Sequence, residues 1–184
     1  MPDLLVLVDF QSYWAEQNPE TAQRIRDNID QIRANGTEIL WVFAQGDPDS
    51  ARAFKPLPPM QMANRRLEEI FNGHARFEYD PAMPPAPQDY VVGKGPFQTD
   101  AFTNPYLLEF LKTKDNIYIA GFMEGFCVFD TANSATRAGL PISVLADLSA
   151  DQNDLTDPND PDAGNFEKAG IKVGHSTNVF GLKP

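Results

Sequence analysis

The chain has 184 residues, 42% of them apolar, enough to bury one sizeable core, and a single domain spanning residues 1–184 is expected. A formal net charge of −11 repels phosphate backbones and anionic membrane surfaces, which argues against nucleic acid or a membrane as partner. One cysteine excludes an intramolecular disulfide framework; the opening MPDLLVLVDF lacks a basic leader and no later run is long enough to span a bilayer, so a cytoplasmic protein with a persistent free thiol is expected.

In chain order, LLVLVDF is an apolar run too uniform for a half-exposed strand and suits a central parallel strand covered on both faces. Residues 18–36 follow as an amphipathic helix. Asn18 is its N-cap, Pro19 takes the first helical position, Ala22, Ile25, Ile29 and Ile32 form the apolar stripe, and Gly36 ends it. TEILWVFA and DYVVGK read as the second and third strands, NPYLLEFLKT as a helix opened by Asn104-Pro105, and NIYIAGF as the fourth strand. CVFDTANSATRAG is then a helix, PISVLAD a fifth strand and IKVGHS a sixth. Strands alternating with helices predict an α/β fold: a doubly wound, Rossmann-like parallel sheet of about six strands flanked by helices.

Two segments fall outside this rhythm. Residues 45–88 hold eight prolines around one weak helical pattern, MANRRLEEIF, and are expected to run over the sheet as an excursion. Residues 151–162, DQNDLTDPNDPD, are expected to form an acidic surface loop, because they lack the glycine and terminal glutamate that an EF-hand calcium loop requires.

Chemistry in an open parallel sheet collects at the carboxyl ends of its strands. Asp9 closes the first strand, Lys94 closes the third, and Cys127 lies just past the fourth at a helix opening. Singly, each has an ordinary reading: a turn residue, a solvated lysine, a small apolar filler among Phe122, Phe126 and Phe129. Together they place a carboxylate, an ammonium and a thiol on one edge. An ordinary thiol with pKa near 8.5 is only about 3% thiolate at neutral pH, so a nucleophilic Cys127 needs help. The helix start, the charge of Lys94 and proton acceptance by Asp9 are expected to supply it by lowering the thiol pKa.

The combination of LLVLVDFQ, the lysine of GKGPFQTDAF and IAGFMEGFCVFDTANSATRAGLPISVLAD resembles the isochorismatase-like cysteine hydrolase family. The shared pieces are Asp9 and Gln11, Lys94 with Ala101-Phe102, Gly121, Cys127-Val128, Gly139 and Asp147, in order, from Leu4 to Asp147. The resemblance implies a triad of Asp9, Lys94 and Cys127, an oxyanion hole from the backbone N–H groups of Met123 and Cys127, a cis peptide between Phe122 and Met123, a thioester intermediate and a homo-oligomer. It therefore implies hydrolysis of a carbon–nitrogen bond in a small amide or in a ureido or carbamoyl compound. Phe10, Tyr13, Trp14, Phe97 and Phe126 are weak candidates for lining the pocket of a flat substrate, with core packing as the alternative, and Arg52 and Lys55 for meeting a carboxylate.

Departures from the family pattern narrow the reading. Members of its nicotinamidase branch hold a metal through Asp-x-His after the second strand and a later histidine. Here that loop carries Asp47 and Asp49 without histidine, and the chain has only His74 and His175. No metal and no other cofactor is therefore expected. Asp100 stands where relatives carry serine, and MEGF replaces a threonine-containing loop. The alternatives are vinyl-ether hydrolysis, found in a branch some of whose members lack the cysteine, and a non-catalytic interaction protein on the same fold. A dinucleotide-binding domain is disfavoured because no Gly-x-Gly-x-x-Gly follows the first strand, and an aspartyl phosphatase because Gln11 stands where a second carboxylate is needed.

Overall fold

The computed structural model describes residues 2–44, 61–62, 80–94, 98–103, 105–150 and 163–182. Within them, strands β1 (Leu4–Val8), β2 (Glu38–Ala44), β3 (Gln61–Met62), β4 (Tyr90–Lys94), β5 (Ile117–Phe122), β6 (Ile142–Ala150) and β7 (Lys172–Gly174) form one sheet in the order β3-β4-β2-β1-β5-β6-β7. Six strands run parallel; the two-residue β3 pairs antiparallel to β4 at the edge. The chain winds outward from β1 to β2 and β4, then returns to the other side of β1 for β5, β6 and β7. The order therefore reverses beside β1, which makes the carboxyl ends of β1 and β5 a topological switch point.

The helices are α1 (Ser12–Gln17), α2 (Pro19–Ala34), α3 (Pro105–Leu111), α4 (Phe129–Arg137), α5 (Ala163–Lys168) and α6 (Ser176–Phe180), with a 3₁₀ turn at Ala101–Thr103 and a π-helical turn at Glu124–Val128. The uniform apolar run of β1 is explained by cover on both faces. Leu5 and Leu7 pack with Ala22, Ile25, Ile29 and Ile32 of α2, whereas Leu4, Val6 and Val8 pack with Leu107 and Leu111 of α3 and Ala132 and Ala135 of α4. Asp89, just before β4, fixes that strand's entry by accepting hydrogen bonds from Arg33 and from Trp41 Nε1 at 2.8 Å.

The sequence rhythm accounts for β1, β2, α2, β4, α3, β5, α4, β6 and β7. It overlooks α1, α5, α6 and β3, which are too short to show a period. It also ends the fifth strand at Asp147, whereas β6 continues to Ala150. Pairing with β5 jumps from Ile119↔Val144 to Gly121↔Ser149, so β6 carries extra residues there. Asp147 is tolerated inside the strand because its carboxylate accepts the Ser176 backbone N–H and hydroxyl, while its carbonyl accepts Arg24 Nη1. The helical pattern in MANRRLEEIF, most of the proline-rich excursion and the acidic loop at 151–162 lie outside the described residues.

Gly121 shows how tightly the switch point is built. It sits opposite Val8 with φ of 120°, and a Cβ there would stand 2.1 Å from the Val8 carbonyl oxygen. Gly121→Ala should therefore lose about 3 kcal/mol or more of stability, since backbone rather than a flexible side chain has to move. Gly139→Ala is the control: its φ is 74° but its Cβ would meet nothing within 4 Å, so it should lose only about 1–2 kcal/mol. Equal losses in urea unfolding would show that dihedral strain alone, without the clash, sets the cost.

Candidate active site

Asp9 immediately follows β1 in a left-handed conformation, φ 52°, that Asp tolerates better than most residues. Its N–H is held by the Val42 carbonyl at 2.8 Å. Two residues on, the buried Gln11 side chain donates to the Ala44 carbonyl at 3.2 Å and accepts the Ala44 N–H at 3.0 Å. A side-chain amide thus replaces a strand residue at the end of β2 and anchors the turn that aims Asp9.

Lys94 ends β4, which is separated from β1 by β2. Its long side chain reaches over the end of β2 and places Nζ 2.7 Å from Asp9 Oδ2, with both side chains almost fully buried. A second Nζ proton goes to the Thr99 carbonyl at 3.2 Å. Asp9 Oδ1 is buried and has no hydrogen-bond partner among the described residues. Cys127 arrives from the opposite side of β1, in the π-helical turn that follows β5, close enough to influence the protonation of both Asp9 and Lys94. Such turns are uncommon and concentrate at functional sites. The Met123 carbonyl accepts the N–H groups of Phe126 at 3.1 Å and Val128 at 3.2 Å, which closes the turn around Cys127.

Burial raises the pKa of Asp9 above the ordinary carboxylate range despite the opposing pull of Lys94. Burial works against the charge on Lys94, but Asp9 and then Cys127 outweigh it, so the ammonium holds its proton more tightly than an ordinary lysine. The Cys127 thiol is pushed up to about 12, first by burial and then by the charge of Asp9, with Lys94 pulling the other way. The sequence-based expectation of a lowered thiol pKa is corrected here: burial and the negative charge of Asp9 both raise it, and together they exceed what Lys94 returns.

The other expected residues are scattered. Phe10 is fully buried, stacked on Phe122 with centroids 5.5 Å apart and edge-on to Trp41, so its surroundings are core. Trp14 is half-buried against the same core, with Tyr13 edge-on to its ring. Phe126, beside Cys127, is 58% exposed. Phe97, Arg52, Lys55, Asp47, Asp49 and His74 lie outside the described residues. The Phe122–Met123 peptide, expected to be cis, is trans; the chain leaves β5 through Gly121 at φ 120° and Met123 at φ −47°, ψ 112°, a path compatible with an ordinary peptide bond.

Sequence reading missed the polar side chains of α4. Asp130, Thr131 and Ser134 contact, in turn, the Thr99 hydroxyl, the Ala101 N–H and the Asp100 carboxylate. Asp100 also accepts the Phe102 N–H at 2.8 Å, which caps the 3₁₀ turn and gives this departure from the family's serine a local role. The visible signal was a cluster of short polar residues just after an apolar helix opening.

The family model of the Isochorismatase domain matches residues 3–160, most of the chain. This protein belongs to the isochorismatase family. It is a hydrolase of that family, and its fold agrees with solved structures across nearly its whole length. N-carbamoylsarcosine amidase from Thermoplasma acidophilum is 22% identical, with 96% of this chain and 97% of that chain covered and a TM-score of 0.69. Pyrazinamidase of Pyrococcus horikoshii, solved in complex with zinc, is 18% identical, with 95% and 99% covered and a TM-score of 0.72. A cysteine hydrolase from Pseudomonas syringae pv. phaseolicola is 15% identical, with 97% and 90% covered and a TM-score of 0.69. A comparison with curated proteins gives no match. No described helix is long and apolar enough to cross a membrane.

The zinc in the pyrazinamidase structure raises the question of a metal in this chain. Among the described residues no three His, Cys, Asp or Glu side chains group as metal ligands. His175 follows β7, four strands from β2, and at about 4.8 Å per strand it stands roughly 19 Å from the end of β2. Asp147 Oδ1 lies 3.9 Å from His175 Nδ1.

Proposed function

We propose that this isochorismatase-family hydrolase cleaves a carbon–nitrogen bond in a small amide or in a ureido or carbamoyl compound, with Cys127 as nucleophile. The observation that carries the reading is the buried Asp9–Lys94 pair, 2.7 Å apart, beside Cys127 at the switch point of the sheet. The names of two structural relatives, an N-carbamoylsarcosine amidase and a pyrazinamidase, support the bond type.

The raised pKa of the thiol shapes the mechanism. Cys127 rests as the thiol, so its proton leaves as the sulfur attacks. Asp9 takes it through Oδ1, the oxygen that Lys94 does not occupy, and the raised basicity of Asp9 suits that task. A carbon–sulfur bond forms and the carbonyl becomes a tetrahedral oxyanion, which the N–H groups of Met123 and Cys127 receive. Collapse breaks the carbon–nitrogen bond while Asp9 returns its proton to the leaving nitrogen. Water, deprotonated by Asp9, then attacks the thioester, releasing the acid and restoring the thiol. Lys94 keeps its charge throughout and offsets the negative charge that moves between sulfur and carboxylate.

A panel of small primary amides, carbamoyl amino acids and ureido acids, assayed for ammonia release, tests this reading. At least one class should be turned over, at a rate unchanged by chelator and by protein shown by elemental analysis to carry less than stoichiometric transition metal. Release from none of them, or release abolished by chelation and restored by zinc, sinks the metal-independent amidase reading.

A further inference from the structure

The ammonium of Lys94 has three protons to satisfy in a buried site. One goes to Asp9 Oδ2 and one to the Thr99 carbonyl, and the Cys127 sulfur lies within reach of the third. A neutral carbonyl fixes the direction of the ammonium without cancelling its charge. A second carboxylate in that position would draw the positive charge away from the sulfur. The Thr99 carbonyl can do this only if it is itself held still.

It is held from the helix that continues out of the Cys127 turn. The Thr99 hydroxyl donates to Asp130 Oδ2, the Ala101 N–H donates to Thr131 Oγ1 at 3.1 Å, and the Ser134 hydroxyl donates to Asp100 Oδ2 at 2.5 Å. Residues 130, 131 and 134 share one side of α4, so three consecutive residues of the segment after β4, Thr99 to Ala101, are tied to one helical ridge. Cys127 and Lys94 are thereby connected twice: across the site, and through α4, Asp130 and Thr99.

Building on the reading of Lys94 and Cys127 above, we propose that Asp130 and Thr99 are positioning residues, whose hydrogen bond holds the Lys94 ammonium against the Cys127 sulfur. Neither reaches the reacting atoms through its side chain. Their effect passes through one main-chain carbonyl to the charge on which thiol deprotonation depends.

The test needs no substrate. The rate at which iodoacetamide alkylates Cys127 in the intact chain, followed by mass spectrometry between about pH 8 and 10, reports how readily the thiol ionises. Lys94→Met calibrates the assay: loss of the ammonium should slow alkylation by about tenfold, the net effect of about two pKa units once the greater nucleophilicity of the more basic thiolate is counted. Thr99→Val and Asp130→Ala should each slow it by about threefold or more, and the double variant no further than the slower single, because both break one link. Asp130→Asn keeps an acceptor oxygen for the threonine hydroxyl and should stay within about twofold of the parent. Thermal unfolding of each variant separates this from general loosening. The proposal is overturned if Lys94→Met slows alkylation while Thr99→Val and Asp130→Ala do not, or if their effects multiply in the double variant. A parent-like rate in Lys94→Met is a different failure: it removes the electrostatic role of Lys94 itself, and the clamp with it.

Discussion

Cys127→Ala should abolish hydrolysis of whichever substrate the panel identifies, by about 10⁴-fold or more in kcat, while leaving the fold in place. The two halves of this expectation have separate causes. Loss of activity follows because no other thiol exists in the chain and the Asp9–Lys94 pair offers no second nucleophile. Retention of the fold follows because the thiol is half-buried and makes its contacts at the margin of one core cluster, so removing one sulfur costs about 1 kcal/mol. The alanine variant also keeps the Asp9–Lys94 ion pair intact, so no buried charge is stranded. Turnover that survives the substitution removes Cys127 from the chemistry; a variant that fails to fold returns it to the core as a packing residue.

The parts of this molecule that were legible in its sequence are those where one physical demand acts alone. β1 reads as a doubly covered strand because all five of its residues are buried, and α2 reads as a helix because its four buried residues fall on one stripe. The convergence of Asp9, Lys94 and Cys127 was legible for the same reason, since strand ends in a parallel sheet share an edge. What escaped was decided by several groups at once. The protonation of Cys127 depends on how desolvation, Asp9 and Lys94 balance, and the sequence names the charges without their depths. Phe10 beside Asp9 looked like a pocket residue, yet the left-handed turn at Asp9 breaks the strand alternation and Phe10 joins the cluster of Leu5 and Leu7, against Phe122 and Trp41. The clamp from Asp130, Thr131 and Ser134 joins segments about 30 residues apart and has no periodic signature.

Asp9→Asn should separate the reactivity of the thiol from catalysis, and it should do so with opposite signs. Asparagine tolerates the left-handed backbone at this position, so the substitution removes a charge with little added strain. Hydrolysis should be lost, because Asp9 is the carboxylate placed to carry the proton from sulfur to the leaving nitrogen and an amide cannot do so. Alkylation should run the other way. In the parent, a thiol pushed up to about 12 has about 10³-fold less thiolate at neutral pH than one at the reference 9.0; greater intrinsic nucleophilicity recovers part of that, so iodoacetamide should act about 30-fold more slowly than on a free thiol. With Asp9 neutral, one of the causes that raise the thiol pKa is gone and Lys94 is left without its carboxylate, so the thiolate becomes its natural counterion and alkylation should accelerate. Stability carries the same signature. Near pH 7 the variant should lose about 3–5 kcal/mol, the usual cost of stranding one member of a buried ion pair. Without Asp9, burial depresses the folded-state pKa of Lys94, so the unfolded chain binds more protons below the ordinary lysine value and stability rises with pH. The parent behaves oppositely. Its Lys94 and Cys127 have raised folded-state pKa values, so their contributions are complete below the reference values of 10.5 and 9.0 and are lost as pH climbs through the folded ones. Urea unfolding of both proteins between about pH 6 and 10 should therefore show the gap closing as pH increases. A gap that stays constant, together with slower alkylation in Asp9→Asn, means that Asp9 assists thiolate formation in the resting enzyme, and that proton transfer from Cys127 precedes attack on the carbonyl instead of accompanying it.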